Sequence, residues 1–246
     1  MQANVIIAVT IASVAVVVSA AILGGAYKYK YHAQQTVTVT GLGETEFVSD
    51  QIVWRGNITV EAPTLAGGYK RLEADRAKVV DYIVKNGIEA DKVVFQFVTN
   101  YKTSEPVYNN GNYAGQRYTG YNLTQQFNIE GRGEEIETVE DISRGISALI
   151  AEGIQIESWQ PDYYYSKLDD LKLSLIERAT ADARLRAEKI AVESGSGLGK
   201  LKSARMGVFQ ITGANTNEEF SAGGNFNTSS KTKKARITMR LEYITK

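Results

Sequence analysis

The chain of 246 residues contains no cysteine and only one histidine, His32. The lack of cysteine excludes disulfide bonds, thiolate nucleophiles and zinc sites built on cysteine. His32 lies near the amino terminus, outside the segment that is predicted to fold. No Ser-His or Cys-His catalytic arrangement can therefore form inside the folded part. We expect a protein that is not an enzyme and that needs no metal or other cofactor.

Net charge is also lacking, since 28 Lys and Arg residues balance 28 Asp and Glu residues. A neutral chain has no overall attraction to nucleic acid or to an anionic membrane surface. The short basic run at Lys231, Lys233 and Lys234 is too small to indicate a nucleic-acid partner. The acidic cluster at residues 134–141 lacks calcium-loop spacing, and its charges suit the first turns of a helix.

The first segment has no charged residue between positions 5 and 26. A helix of this length spans about 33 Å, which is enough to cross a hydrocarbon core of about 30 Å. We predict that residues 1–27 form a transmembrane anchor, with a cleaved signal segment as the alternative. Residues 28–35 are predicted to be a juxtamembrane tether. Lys28 and Lys30, taken alone, favour a cytoplasmic location for the residues that follow.

The remaining residues, 36–246, carry alternating strand patterns and three helical patterns. The helices are predicted near residues 65–85, 136–150 and 168–193, with glycine-containing stops after them. The predicted order is β-β-α-β-β-α-β-α-β-β, which favours an α+β fold of paired antiparallel strands with three helices packed on the sheets. Gly41 and Gly43 in the first strand suggest a bulge or a sharp twist.

The stretch GSGLGK at residues 195–200 superficially resembles a phosphate-binding loop. Such a loop needs a glycine at position 194 and Ser or Thr at position 201, where this chain has Ser194 and Leu201. The stretch in this chain also follows a predicted helix, whereas a phosphate-binding loop precedes one. The carboxyl end of a helix repels phosphate. We interpret Gly195 and Gly197 as left-handed helix-stop positions.

Four tyrosines surround a segment rich in Asn and Gly that is predicted as a loop over residues 107–120, at the tip of a long hairpin. Tyr and Asn in loops are typical of adaptable binding surfaces. The possible ligand or partner contacts are Tyr108, Tyr113, Tyr118 and Tyr121. Packing and a subunit contact remain alternatives for the same side chains.

Taken together, four stretches of the chain resemble the SIMPL-domain family of bacterial envelope proteins. They are VTVTGLGETEFVSDQIVWRGNITV, VVDYIVKNGIEADKVVFQFVTNYKTSEPVY, YTGYNLTQQFNIE and LIERATADARLRAEKIAVESGSGLGKL. The chain has Ser49-Asp50 where the family often has Pro-Asp. The resemblance covers residues 36–246 and implies a domain outside the cytoplasm, in the periplasm, without catalytic residues to carry over. It therefore opposes the orientation that Lys28 and Lys30 favour.

The leading hypothesis is a non-enzymatic, membrane-tethered envelope protein that acts through protein contacts. Paired strands leave sheet edges, and uncovered edges favour pairing between chains, so we expect a homo-oligomer. The alternative is an extracytoplasmic binding module that presents the tyrosine-rich hairpin loop to a glycan or a peptide.

Overall fold

The computed structural model describes residues 2–32, 35–218 and 221–246. Within these ranges the chain forms four α-helices, nine strands and two short 3-10 helices. The helices are α1 (Gln2–His32), α2 (Leu65–Lys85), α3 (Glu135–Gly145) and α4 (Leu168–Glu193), and the 3-10 helices are Ala90–Lys92 and Ile146–Glu152. The strands are β1 (Thr36–Val48), β2 (Gln51–Ala62), β3 (Val93–Asn109), β4 (Asn112–Arg132), β5 (Gln155–Ser158), β6 (Asp162–Tyr164), β7 (Leu198–Met206), β8 (Gln210–Gly213) and β9 (Thr232–Thr245).

The α+β class is confirmed, and the element order differs from the prediction at two places. The expected fifth strand is divided into β5 and β6, because Pro161 between them cannot donate to a strand ladder. The expected sixth strand is divided into β7 and β8 on either side of Gly207. The second predicted helix changes to 3-10 geometry at Ile146 and ends at Gly153, whose φ of 82° is left-handed.

The amino-terminal helix α1 contains a span, Val9–Tyr29, that is long and apolar enough to cross a membrane. None of this span is buried against the rest of the protein. A signal sequence would have the same properties, so both the anchor and the signal interpretations remain. The helix continues to His32, so the first part of the predicted tether is helical.

Two antiparallel sheets form the folded body. The first sheet has the order β1-β9-β7, with β8 also on β9, and α4 packs on it. The second sheet has the order β3-β4-β2-β5, with β6 also on β2, and α2 and α3 pack on one of its faces. The chain passes from one sheet to the other where β1 leads into β2.

The larger hydrophobic core lies between the second sheet and its two helices. Trp54 and Phe127 are fully buried there and meet edge to face, with 5.4 Å between their ring centroids. The indole Nε1 of Trp54 donates to Ser158 Oγ at 3.1 Å, and Ser158 donates in turn to the backbone oxygen of Ser143. This chain of bonds joins β2, β5 and α3 and satisfies the polar atom of the largest core side chain.

The first sheet contacts α4 at unusually short range. Ala179, Ala183, Ala187 and Ala191 are all buried, as their spacing of four predicts. A Cβ placed on Gly41 would lie 2.1 Å from the backbone oxygen of Ala179. Of the two expectations for Gly41 and Gly43, the bulge is wrong, because β1 pairs with β9 in unbroken register, and the sharp twist stays a prediction. Both glycines instead leave room for the helix backbone.

The stretch GSGLGK lies between the end of α4 and the start of β7, as expected. Gly195 has a φ of 74° and closes the helix in the left-handed conformation. The prediction for Gly197 is wrong, because this residue exchanges backbone hydrogen bonds with Lys246 and has no positive φ. The segment therefore joins the helix to the first sheet near the carboxyl terminus.

Candidate functional site

The outer face of the second sheet carries a row of polar side chains. Along β2 the residues alternate between buried and partly exposed, so Arg55 and Asn57 lie on the face opposite α2 and α3. Their partners across the ladder on β4 are Asn128 and Gln126. The sequence alternation thus places a polar floor on the side of the sheet that α2 and α3 leave open.

This face forms an open groove of about 660 Å³. The residues that line it are Arg55, Asn57, Gln96, Phe97, Thr99, Thr124, Gln126, Asn128 and Trp159. We call this set the groove. It reaches from the edge strand β3 across β4 and β2 to the residue that follows β5.

Phe97 forms one side of the groove because of a bulge in β3. Phe95 pairs with Phe127, and Val98 pairs with Gln125, so two residues of β3 face one residue of β4. The bulge turns Phe97 outward, where it is 95% exposed. Simple alternation would bury Phe97 together with Phe95 on the core side, so the bulge is what places an aromatic ring on the open face.

Trp159 forms the opposite side of the groove. Its backbone N–H donates to the backbone oxygen of Arg55 at 3.1 Å, and its side chain is 45% exposed. Arg55 forms an ion pair with Asp162, whose second oxygen accepts a bond from Thr228 Oγ1 at 2.7 Å. The pKa of Arg55 is raised by its hydrogen bond to Asp162. The charge of the guanidinium is therefore compensated by Asp162 on the neighbouring strand β6.

The floor of the groove contains mainly neutral amides. Gln96 Nε2 donates to Asn128 Oδ1 at 3.0 Å across the β3–β4 pair. Asn57 Nδ2 makes one long contact of 3.5 Å with Thr59, and no donor within the described residues reaches the buried Oδ1 of Asn57. An amide oxygen without a donor costs free energy when it is buried. Asn57, which lines the groove, thus has an acceptor that internal contacts leave unsatisfied.

A second polar cluster lies where the two sheets meet. Lys233 is 2% exposed, and its Nζ donates to the backbone oxygens of Tyr163 and Asn227 at 2.5 and 2.6 Å. Burial lowers the pKa of Lys233 to about 8. Burial, together with a hydrogen bond to Glu140, raises the pKa of the Tyr163 hydroxyl to about 12. The hydrogen bonds of this cluster join β6 and β9 to α3 and to the loop that precedes β9.

Among the residues that the structure describes, no group of three or more His, Asp or Glu side chains could hold a metal ion. The acidic segment at residues 134–141 is engaged in ion pairs. Glu135 pairs with Lys92, and this contact lowers the pKa of Glu135. Glu140 contacts Lys231 and Tyr163. These contacts agree with the structural role that the sequence indicates for the segment.

The four tyrosines predicted as contact residues form two separate pairs. Tyr108 and Tyr113 face each other across the hairpin near its tip, with ring centroids 6.1 Å apart, and both are exposed. Tyr118 and Tyr121 meet at 5.8 Å in the middle of the hairpin, where Tyr118 also donates to the backbone oxygen of Pro63. Tyr121 packs partly against the core. The structure therefore does not bring all four into one site, and their role as contacts stays a prediction.

The segment predicted as a loop over residues 107–120 is instead almost entirely strand. β3 continues to Asn109, β4 begins at Asn112, and only Asn110 and Gly111 form the turn. Their φ values of 50° and 81° give the two-residue turn that fits the twist of a hairpin. The expected loop over residues 107–120 is therefore wrong, because Asn-Gly forms a two-residue hairpin turn.

None of the nine residues of the groove was among the candidates that the sequence pattern indicated, and Phe97 and Trp159 are the two aromatic ones. Trp159 was visible as an aromatic residue before Pro161, in a stretch that reads as one strand. No sequence signal marks the bulge that exposes Phe97, since the pattern of β3 is compatible with regular alternation. Only the pairing register reveals that both aromatics lie on the same face.

The family model for SIMPL, described as a protein of unknown function (DUF541), matches residues 37–242. This range includes nearly all of both sheets, the hairpin and the complete groove. Among curated proteins there is no match to the chain.

Proposed function

Because the chain belongs to the SIMPL family, whose function is unknown, we propose a function from the geometry of the chain itself. The protein is a non-enzymatic envelope component, held at the membrane by α1, that acts through protein contacts and self-associates into a homo-oligomer. The proposal rests on one observation: the β3–β4 hairpin extends beyond the rest of its sheet.

The last pair that joins β2 to β4 is Ala62 with Tyr121, and beyond it the hairpin continues alone. We call residues 103–120 the arm. At about 3.3 Å per residue, the arm extends about 25 Å past the end of β2. All of its residues are exposed except Thr103, Gly115 and Gly120. A two-stranded ribbon of this kind has little stability of its own in water, so a partner that covers it would stabilise it.

The chemistry of the arm favours a second copy of this chain as that partner. Its charged residues, Glu105 and Arg117, face each other and form an ion pair of 3.1 Å, so the arm carries no net charge. The exposed rings of Tyr108 and Tyr113 offer apolar area without a charge requirement. β3 is also an edge strand of its sheet, with one side of its backbone available for pairing.

The experiment removes the arm while it keeps the sheet. In the shortened variant, residues 104–118 are replaced by Asn-Gly, which joins Thr103 to Thr119, two residues whose hydroxyls already bond at 2.9 Å. Full-length wild type and variant are compared in detergent by size-exclusion chromatography with light scattering. We expect an oligomer for the wild type and a smaller species for the variant, with unchanged circular dichroism. A monomeric wild type, or an oligomer that survives the deletion, contradicts the proposal.

The proposed location of the folded body is the periplasm. The family resemblance supports export, and Lys28 and Lys30 are a small bias in the opposite direction. A reporter enzyme that functions only after export, fused after Lys246, should be active, whereas a reporter that functions only in the cytoplasm should be inactive. The reverse pattern would place the body in the cytoplasm.

A further inference from the structure

We propose that the groove binds a neutral oligosaccharide. This inference goes beyond self-association, because it uses the outer face of the second sheet and not the arm. It is independent of the oligomeric state and can be tested separately from it.

The first argument is the position of the two aromatic side chains. Phe97 and Trp159 lie at opposite sides of the groove and are the exposed apolar groups that line it. Sugar rings have apolar C–H faces, which pack on aromatic rings, and polar edges, which need hydrogen-bond partners. An almost fully exposed phenylalanine on a sheet gains free energy when such a face covers it.

The second argument is the floor between the aromatics. Asn57, Gln126 and Asn128 present amides, each of which offers both donors and an acceptor. Sugar hydroxyls are likewise donors and acceptors at once, so amides and hydroxyls match without any charge. The Oδ1 of Asn57 is buried and lacks a donor among the described residues, so this amide has hydrogen-bonding capacity that internal contacts do not use.

The third argument is electrostatic and separates a sugar from other ligands. Arg55 is the one charged residue among the nine that line the groove, and Asp162 already compensates it. The groove therefore lacks the free cations that a phosphate or a nucleic acid needs. An extended peptide would bind through main-chain bonds at a sheet edge, whereas this groove lies on a sheet face. A neutral ligand with many hydroxyls fits these conditions best.

The dimensions indicate more than one sugar ring. The groove crosses four neighbouring strand positions, from β3 through β4 and β2 to the residue after β5. Three spacings of about 4.8 Å give a width of about 14 Å. This span exceeds a single sugar ring, so the ligand is an oligosaccharide that contacts both aromatics at once.

The test uses the full-length protein in a detergent that has no sugar headgroup. Cellotetraose, maltotetraose and tetra-N-acetylchitotetraose are titrated separately, and binding is measured by calorimetry and by tryptophan fluorescence. We expect saturable binding of at least one of these sugars. Phe97→Ala and Trp159→Ala should each weaken this binding by about tenfold, which corresponds to about 1.4 kcal/mol, the upper part of the range for one aromatic contact.

Two controls distinguish a binding effect from a folding effect. Phe97→Trp keeps an aromatic ring at the side of the groove and should retain binding. Tyr69→Ala removes a partly exposed ring from α2, on the opposite face of the sheet, and should bind like the wild type. The proposal is overturned if none of the three sugars binds, or if Phe97→Ala, with an unchanged melting temperature, binds as tightly as the wild type.

Discussion

The buried lysine between the two sheets gives a prediction about pH. Lys233 is almost fully buried, and its ammonium group donates to two backbone oxygens. Burial lowers the pKa of Lys233 from its ordinary 10.5 to about 8, against the opposing effects of Asp162 and Glu218. Between these two pH values the unfolded chain keeps a proton that the folded chain has released. The free energy of unfolding therefore rises with pH in this window.

The size of the effect follows from the shift. One proton of difference changes the free energy of unfolding by about 1.4 kcal/mol per pH unit, so the gain from pH 8 to pH 10.5 is about 3 kcal/mol. At higher pH the sign reverses for Tyr163, whose pKa is raised from 10.0 to about 12 by burial and by Glu140. The folded chain then holds the proton that the unfolded chain has lost, so the free energy of unfolding falls between these values.

The assay is urea denaturation of the full-length chain in detergent, followed by circular dichroism across this pH range. In Lys233→Met the rise between pH 8 and pH 10.5 should disappear. Lys234→Met is the matched control, because Lys234 is the next residue on β9 and forms a partly exposed ion pair with Glu44. Parallel pH curves for Lys233→Met and wild type would refute the reasoning.

Three further substitutions, the first with a matched control, test the packing and the hairpin turn. Gly41→Val should destabilise the protein by about 3 kcal/mol or more in thermal unfolding, because the valine side chain would collide with the backbone of α4. Gly223→Ala is the control and should be neutral, because a Cβ on Gly223 would have no atom within 4 Å. Ser158→Ala should cost about 1–3 kcal/mol in the same assay, because it leaves the buried indole N–H of Trp54 without an acceptor. Gly111→Val should cost about 1 kcal/mol or more and speed proteolysis of the hairpin, since its φ is 81°.

Most of the fold could be predicted from the sequence because its elements carry strong local signals. The span of α4 and its buried alanines follow from a spacing of four, and the stop after α2 follows from Asn86-Gly87. These features depend on residues close together in the chain. The division of the predicted strands was harder, because a strand pattern alone does not show where pairing partners change.

The role of Gly41 and the exposure of Phe97 could not be predicted for a different reason. A glycine in a strand can mark a bulge or a close approach, and only the helix packed against β1 decides between them. The outward position of Phe97 depends on the register between β3 and β4, which involves residues about thirty positions apart. The groove was missed because it is a product of this register and not of a motif.

The chain end that follows α1 belongs to the first sheet, whereas the arm and the groove belong to the second sheet. The first sheet begins only a few residues after α1, at Thr36, and the carboxyl terminus pairs beside that start through Thr245 and Gln35. β2 begins three residues after β1 ends, and the arm extends beyond the end of β2. The groove lies on the same second sheet, on the face that α2 and α3 leave open. Neither Phe97 nor any residue of the arm belongs to the buried clusters, so packing of the core does not account for either feature.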